Sequence, residues 1–419
     1  MEQQFFQISP QIREMADKAE AACAGAFARI DEISAYNSLK VLAAFGEERV
    51  SESHLVGTSG YGYGDRGRDG LDAVYARVFG AEDALVRHHF SCGTATIATA
   101  LFGLLRPGDT IVCLTGRPYD TLHATLGISG GEGIGSLAEF GIHYRELALH
   151  KDGKVDLKAI PEAVKGAKVA HIQRSRGYSL RPSLGVEEIG EIIRLVKAEN
   201  PHIWVVVDNC YGEFVEKREP TQVGADLIVG SLIKNPGGGI ARTGGYIAGK
   251  KALVERCAHR LTAPGLGREV GCSLDQNKNM YMGLFYAPGV VAGAVKTAVF
   301  AAGLFANMGY EVFPHLGDAR ADIIQSVVLG CPEKLTAFCR GIQKGAPVDS
   351  FVSPEAWDMP GYDSKVIMAA GAFNMGASIE LSADGPMRAP YAAWLQGGLN
   401  YPIGKLGVMM AAEQISNMG

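Results

Sequence analysis

Between residues 55 and 285 the chain alternates short apolar runs with longer stretches whose apolar positions recur every three or four residues. Short apolar runs bounded by turn residues predict buried strands, and the longer period predicts helices lying on them. Residues 91–105 are expected as a helix opened by Ser91-Cys92-Gly93-Thr94. Residues 186–200 are expected as a helix presenting Val186, Ile189, Ile192, Ile193 and Val196 on one face. Expected strands cover 110–114, 168–173, 203–207 running into Asp208, the apolar run before Ser231, and 243–248. Strands alternating with helices predict an α/β fold, a mainly parallel sheet flanked by helices on both faces.

The flanks read differently. Residues 1–50 form an N-terminal helical segment, with Ile12, Met15, Ala16 and Ala19 at helical spacing. Two roles are open for it: an arm on a neighbouring subunit, or a first helix capping its own domain. The large domain is expected over 51–288. A long helix over 289–308 then links to a smaller C-terminal α+β domain within 289–419, with strand-like runs at 365–370 and 377–381.

A chain of 419 residues is too long for one small core. Its 47% apolar and 20% charged residues suit a soluble globular protein, and a net charge of -5 gives no electrostatic reason to expect nucleic acid or an anionic membrane as partner. The greasiest stretch, 287–310, is interrupted by Lys296 and is expected as a buried helix, not a membrane span. No basic flank precedes an apolar core at the N-terminus, and the eight cysteines contain no Cys-x-x-Cys pair. Reduced thiols and a cytoplasmic location are therefore expected. His88 and His89 adjoin on what reads as an extended segment, where their side chains would point opposite ways. No metal site is expected.

The chemistry gathers around Lys234. It follows an apolar strand, has Ser231 three positions before it, and runs into Asn235-Pro236-Gly237-Gly238-Gly239. Upstream, Ile203-Trp204-Val205-Val206-Val207 ends in Asp208. A lysine and an aspartate at the ends of neighbouring buried strands suit pyridoxal 5'-phosphate: the amine forms the Schiff base, and the carboxylate keeps the pyridine nitrogen protonated. Ligands of parallel sheets sit beyond the strands' carboxyl ends, where both residues fall. Cys92, Gly93 and Thr94 open a helix whose free N–H groups either bind a phosphate or serve as an ordinary cap. Tyr119, in Pro118-Tyr119-Asp120-Thr121-Leu122, either stacks on the pyridine ring or packs in its loop. Asp208 itself either meets the pyridine or caps the following segment.

These motifs resemble those of the fold-type I pyridoxal phosphate enzymes, and most closely the methionine gamma-lyase-like branch, also called aluminium resistance proteins. The residues carrying the resemblance include Gly60-Tyr61-Gly62-Tyr63-Gly64-Asp65, Ile172-Gln173-Arg174-Ser175-Arg176, Val207-Asp208-Asn209-Cys210-Tyr211-Gly212-Glu213, Gly230-Ser231-Leu232-Ile233-Lys234 and Ser378-Ile379-Glu380-Leu381. The resemblance implies that Lys234 carries the cofactor, Asp208 pairs with its ring nitrogen, Tyr119 stacks, and Cys92, Gly93, Thr94 and Ser231 hold the phosphate. It implies further phosphate contacts from a neighbouring subunit, with Tyr61, Tyr63, Arg66 and Arg68 as candidates, and hence a homodimer or homotetramer with shared sites. Cys92 stands where the family has a serine. The substrate-carboxylate arginine has no clear counterpart, because that stretch reads Ser378-Ile379-Glu380-Leu381. Arg388, Arg268 and Arg176 are the candidate replacements.

The expected activity is a carbon–sulfur lyase acting on a small sulfur-containing amino acid, with Lys234 as base at Cα and Tyr119 as acid at the leaving sulfur. An aldolase or transaminase on the same scaffold is the alternative within enzymes. A non-catalytic metal-tolerance protein is the alternative outside them.

Overall fold

The computed structural model describes residues 4–359, 362 and 364–418. The chain divides into two compact units: Asn37–Tyr286 forms one, and the chain up to Tyr36 together with the chain from Ala287 onward forms the other.

The larger unit is built on a seven-stranded sheet. Its strands are β1 (Asp83–Arg87), β2 (Thr110–Cys113), β3 (His143–Glu146), β4 (Val169–Gln173), β5 (Trp204–Asp208), β6 (Leu227–Ser231) and β7 (Gly245–Gly249). Their order is β1-β7-β6-β5-β4-β2-β3. Strands β2 to β6 run parallel, while β7 and β1 are antiparallel to their neighbours. The inner strands β4 to β7 read as nearly unbroken apolar runs because both faces are covered, whereas the edge strand β3 is polar and largely exposed. Ile97, Leu101 and Leu104 of the helix Gly93–Leu104 share a buried core with Val206, Val229 and Ile247. The helix Val186–Glu199 buries the five residues its periodicity singled out.

In the smaller unit β8 (Glu311–Phe313), β9 (Gln325–Val328), β10 (Val366–Ala369), β11 (Ser382–Pro386) and β12 (Ala392–Gln396) form an antiparallel sheet, ordered β10-β11-β12-β9-β8. Helices Pro332–Lys344 and Tyr401–Ser416 accompany it. Phe300, Phe338, Ile367 and Leu395 lie in its core.

Three expectations change. One helix, Pro10–Glu47, fills most of the N-terminal segment, and Ile12, Ala16 and Ala19 are buried in the smaller unit's core. That face therefore packs within its own chain. The long helix starts at Asn277, not near 289, and continues through Pro288 to Asn307. A proline removes one backbone donor but does not always end a helix. This helix is long and apolar enough to cross a membrane, yet 67% of its most apolar window is buried within the protein, as a core helix requires. Finally, 377–381 is not a strand. Glu380, buried, accepts backbone N–H bonds from Phe373 (2.9 Å) and Asn374 (2.8 Å), and Ser378 Oγ accepts from Glu380 N (3.1 Å). These polar side chains give the backbone a partner other than a sheet ladder, so the strand begins only at Ser382.

Candidate active site

The register of the parallel strands brings the sequence-distant candidates to one edge. Gln173 pairs with Asp208 between β4 and β5, and Asp208 pairs with Val229 between β5 and β6. Ser231 ends β6, and a tight turn follows in which Lys234 N bonds Ser231 O. A Cβ built on Gly93 would stand 3.4 Å from Ser231 Cβ and 3.6 Å from Cys210 Sγ, so the helix start faces the ends of β5 and β6. Tyr119 is tied in from the other side. Its N–H donates to Gln173 Oε1 at 2.7 Å, and two residues later Thr121 Oγ1 lies 2.7 Å from Thr94 Oγ1.

Lys234 is half-buried. Its Nζ sits 4.0 Å from the ring centroid of Tyr211, a cation–π distance. Burial disfavours the ammonium, but Cys210, Tyr211 and Asp208 outweigh it and hold the pKa above the usual lysine value. Cys210 is a buried thiol whose own pKa is pushed far up, chiefly by burial. Buried His171 feels the same carboxylate: burial lowers its pKa and Asp208 works against that.

Two observations test whether this edge suits a phosphate-bearing ring aldehyde. Ser231 Oγ is buried and has no hydrogen-bond partner among the described residues, although buried hydroxyls are ordinarily bonded. Beside it, Gly93 and Thr94 begin a helix capped by Cys92, whose Sγ accepts the Ala95 N–H at 3.4 Å. The hydroxyl and the helix start together match a phosphate's need for donors. Asp208 and Lys234 match the ring nitrogen and the aldehyde.

Other candidates fall elsewhere. Tyr61 and Tyr63 are 72% and 66% exposed, with rings stacked at 5.4 Å, and Arg66 is exposed beside them. Arg68 is not exposed with them. It is buried and donates to Gly62 O (2.9 Å), Gly271 O (3.1 Å) and Asp69 Oδ1 (2.9 Å), so it braces its own segment. Arg268 grips Asp83 with both terminal nitrogens, at 3.1 and 2.6 Å, and reaches Glu255 with Nε; these contacts make it a structural residue. Arg388 lies exposed in the turn between β11 and β12, in the smaller unit. Arg176 is buried just past β4, near the edge where Gln173 and Asp208 meet. His88 and His89 occupy a turn, not an extended segment, and their rings lie 3.9 Å apart. Burial, with His88 and the nearby arginines, pushes the His89 pKa down to about 4.

Sequence reasoning assigned no role to Tyr211, Gln173 or Glu213. Tyr211 could have been suspected from its place three residues past Asp208. Its left-handed backbone, φ 72°, has no sequence signal.

Comparison with known proteins identifies the family. The methionine gamma-lyase family model matches residues 12–416. A Clostridium acetobutylicum protein involved in aluminum resistance superposes with a TM-score of 0.95 at 51% identity, covering 97% of this chain and 96% of that one. The carbon-sulfur lyase involved in aluminum resistance from Clostridium novyi NT gives 0.94 at 49% identity, with coverage of 97% and 96%. The Bacillus subtilis protein YnbB is 49% identical over 405 residues, 96% of each chain. From the strand-end geometry and a family match spanning nearly its whole length, the chain belongs to the methionine gamma-lyase family.

Proposed function

We propose that this protein is a pyridoxal phosphate-dependent carbon–sulfur lyase that eliminates a thiol from a sulfur-containing amino acid. The observation that carries the reading is Lys234 placed next to the Asp208 strand end, with the unpartnered Ser231 hydroxyl and the Gly93 helix start beside them. The name carbon-sulfur lyase attached to the Clostridium novyi NT structure supports the reaction class.

When bound, pyridoxal phosphate supplies an electron sink for charge developing at the substrate's Cα. Lys234 Nζ is the amine that binds the aldehyde. As a free amine it would take the proton from the substrate's Cα. Asp208 keeps the ring nitrogen protonated through its carboxylate. Ser231 Oγ and the N–H groups of Gly93 and Thr94 hold the phosphate. Tyr119 Oη delivers a proton to the departing sulfur. A second copy of the chain would complete the phosphate site through Tyr61, Tyr63 or Arg66, making a dimer the working unit. The exposed Leu39, Leu42, Phe285 and Tyr286 give such a partner apolar surface to cover.

The test is reconstitution with pyridoxal phosphate followed by a panel of amino acids. The expected result is a visible absorbance that borohydride fixes at Lys234, and release of a keto acid together with a thiol. Lys234→Ala should lose both. A protein that stays colourless and untrapped would overturn the reading. Amino exchange without thiol release would replace the lyase by a transaminase.

A further inference from the structure

Behind the lysine lies a buried acid cluster that the proposed chemistry does not use. Glu213 is fully buried. Its Oε1 accepts from Tyr246 Oη at 2.8 Å, and its Oε2 meets no hydrogen-bond partner among the described residues. Its main-chain carbonyl accepts from Asn235 Nδ2 at 2.9 Å, which fastens it to the residue beside Lys234. On the other side, Asn209 Nδ2 donates to Tyr246 Oη at 3.3 Å and to Glu219 Oε2 at 3.0 Å. Arg174 Nη1 donates to Asn209 Oδ1 at 2.8 Å. The chain neighbours of Lys234 and of Asp208 are thus joined through one network, with Glu213 and Tyr246 at its centre.

The fold accepts strain to put the acid there. Tyr211 (φ 72°) and Phe214 (φ 63°) are non-glycine residues in the left-handed region on either side of Glu213. A Cβ at Gly230 of β6 would stand 2.5 Å from Glu213 Oε1 and 2.5 Å from Tyr246 Cε1, so that strand position admits only glycine. Strain and an orphaned buried oxygen persist where surrounding structure imposes them, and they gather at functional sites.

The charges around Glu213 explain its state. Arg174 is shared with Glu216 and Glu219. Tyr246 faces it from β7, and buried Tyr75, in the helix Arg66–Phe79, feels its charge. Cys210 lies within its field, and Lys234 follows beyond Asn235. Burial above all pushes the Glu213 pKa up, to about 8; Glu219 adds to this, while its own backbone amide, Tyr246 and Arg174 oppose it. At neutral pH it is the uncharged acid, which tolerates an unpartnered oxygen far better than a carboxylate does.

We propose that Glu213 is a positioning residue for Lys234, holding the turn after β6 as a neutral acid and loosening it on ionisation. This rests on the reading of Lys234 as the cofactor-binding amine. Ionisation would place a new anion beside Glu219 without a cation of its own, and the Asn235 anchor would slacken. The folded chain keeps a proton that the unfolded chain has already released at ordinary glutamate pKa. Stability from this group is therefore highest in acid and falls as pH rises toward about 8.

The test uses the full chain and pyridoxal phosphate alone as probe, across about pH 6 to about pH 9. Thermal unfolding and visible absorbance are followed for wild type, Glu213→Gln, Glu213→Ala and Tyr246→Phe. Wild-type Tm should fall from about pH 6 to about pH 8 and level off above it, and absorbance should be lost as pH passes about 8. Glu213→Gln, neutral at every pH, should retain the cofactor and flatten both slopes. Tyr246→Phe, which removes the bond to Oε1, should weaken retention less than Glu213→Ala, for which a loss of roughly tenfold is expected at neutral pH. The inference is overturned by a Glu213→Gln protein with the wild-type slopes, or by a Glu213→Ala protein that retains the cofactor like wild type. Should Glu213→Ala not fold, the Glu213→Gln slopes decide alone. If wild type takes up no cofactor, the reading of Lys234 fails as well. If wild type takes it up, Lys234→Ala does not, and the Glu213 variants match wild type, only the role of Glu213 fails.

Discussion

The two sheets are built from comparably buried strands, yet their ends carry different chemistry. In the seven-stranded sheet β2 to β6 run parallel, so Gln173, Asp208 and Ser231 leave the core at one edge, next to the Gly93 helix start. In the five-stranded sheet every pair is antiparallel, and successive strand ends alternate between opposite edges. There the polar residues serve turns: Glu380 caps the N–H groups of Phe373 and Asn374, and Arg388 sits exposed in a hairpin. A polar residue at a strand end is therefore a strong pointer to a ligand site only where its neighbours run in the same direction.

This contrast can be broken by substitution, and the largest effect should come from the parallel edge. Replacing Asp208 with Ala removes the carboxylate proposed to pair with the ring nitrogen and should cost about 3 kcal/mol or more, a loss of ~100-fold in cofactor-dependent turnover. Near-normal turnover in that variant would move the ring nitrogen's partner elsewhere. Ser231→Ala should weaken cofactor retention roughly ten- to hundredfold, as expected for a hydrogen bond to a charged group, with little change in Tm. Equilibrium dialysis against pyridoxal phosphate measures it, and unchanged retention would remove Ser231 from the phosphate cradle.

The antiparallel sheet should respond in stability alone. Glu380→Ala leaves two backbone donors short of a partner and should destabilise by about 1–3 kcal/mol while cofactor absorbance at saturation stays the same. Denaturant unfolding reads the first and titration the second. Smallest of all, Arg388→Ala should alter stability by less than about 0.5 kcal/mol, as an exposed turn residue does. A raised KM with an unaltered cofactor spectrum would instead make Arg388 the substrate-carboxylate ligand and sharpen the contrast into one of cofactor against substrate.

Much of the site was legible because strand ends are marked in one dimension. An apolar run that stops at Asp208 or Ser231 announces where the sheet ends, and the Gly93-Thr94 helix start announces free donors. The arginines were not legible in this way. Nothing local distinguishes Arg268, locked onto Asp83, or Arg68, bonded to Gly62 and Gly271, from an arginine waiting for a substrate. Their partners come from distant parts of the chain. The neighbouring His88 and His89 rings were misjudged for a related reason, since a turn replaced the extended backbone assumed for them.

The sequence by itself determined the parallel α/β framework, the lysine and aspartate, and the membership those motifs implied, because period and strand termini are properties of consecutive residues. Only the tertiary structure decided which cations were already paired, that Tyr211 lies under the Lys234 ammonium, and that Glu213 is buried against Gly230 of β6 and Tyr246 of β7. Those facts depend on burial and on partners brought together from afar, and charge, proton affinity and hydrogen-bond satisfaction are set by surroundings that no local pattern contains.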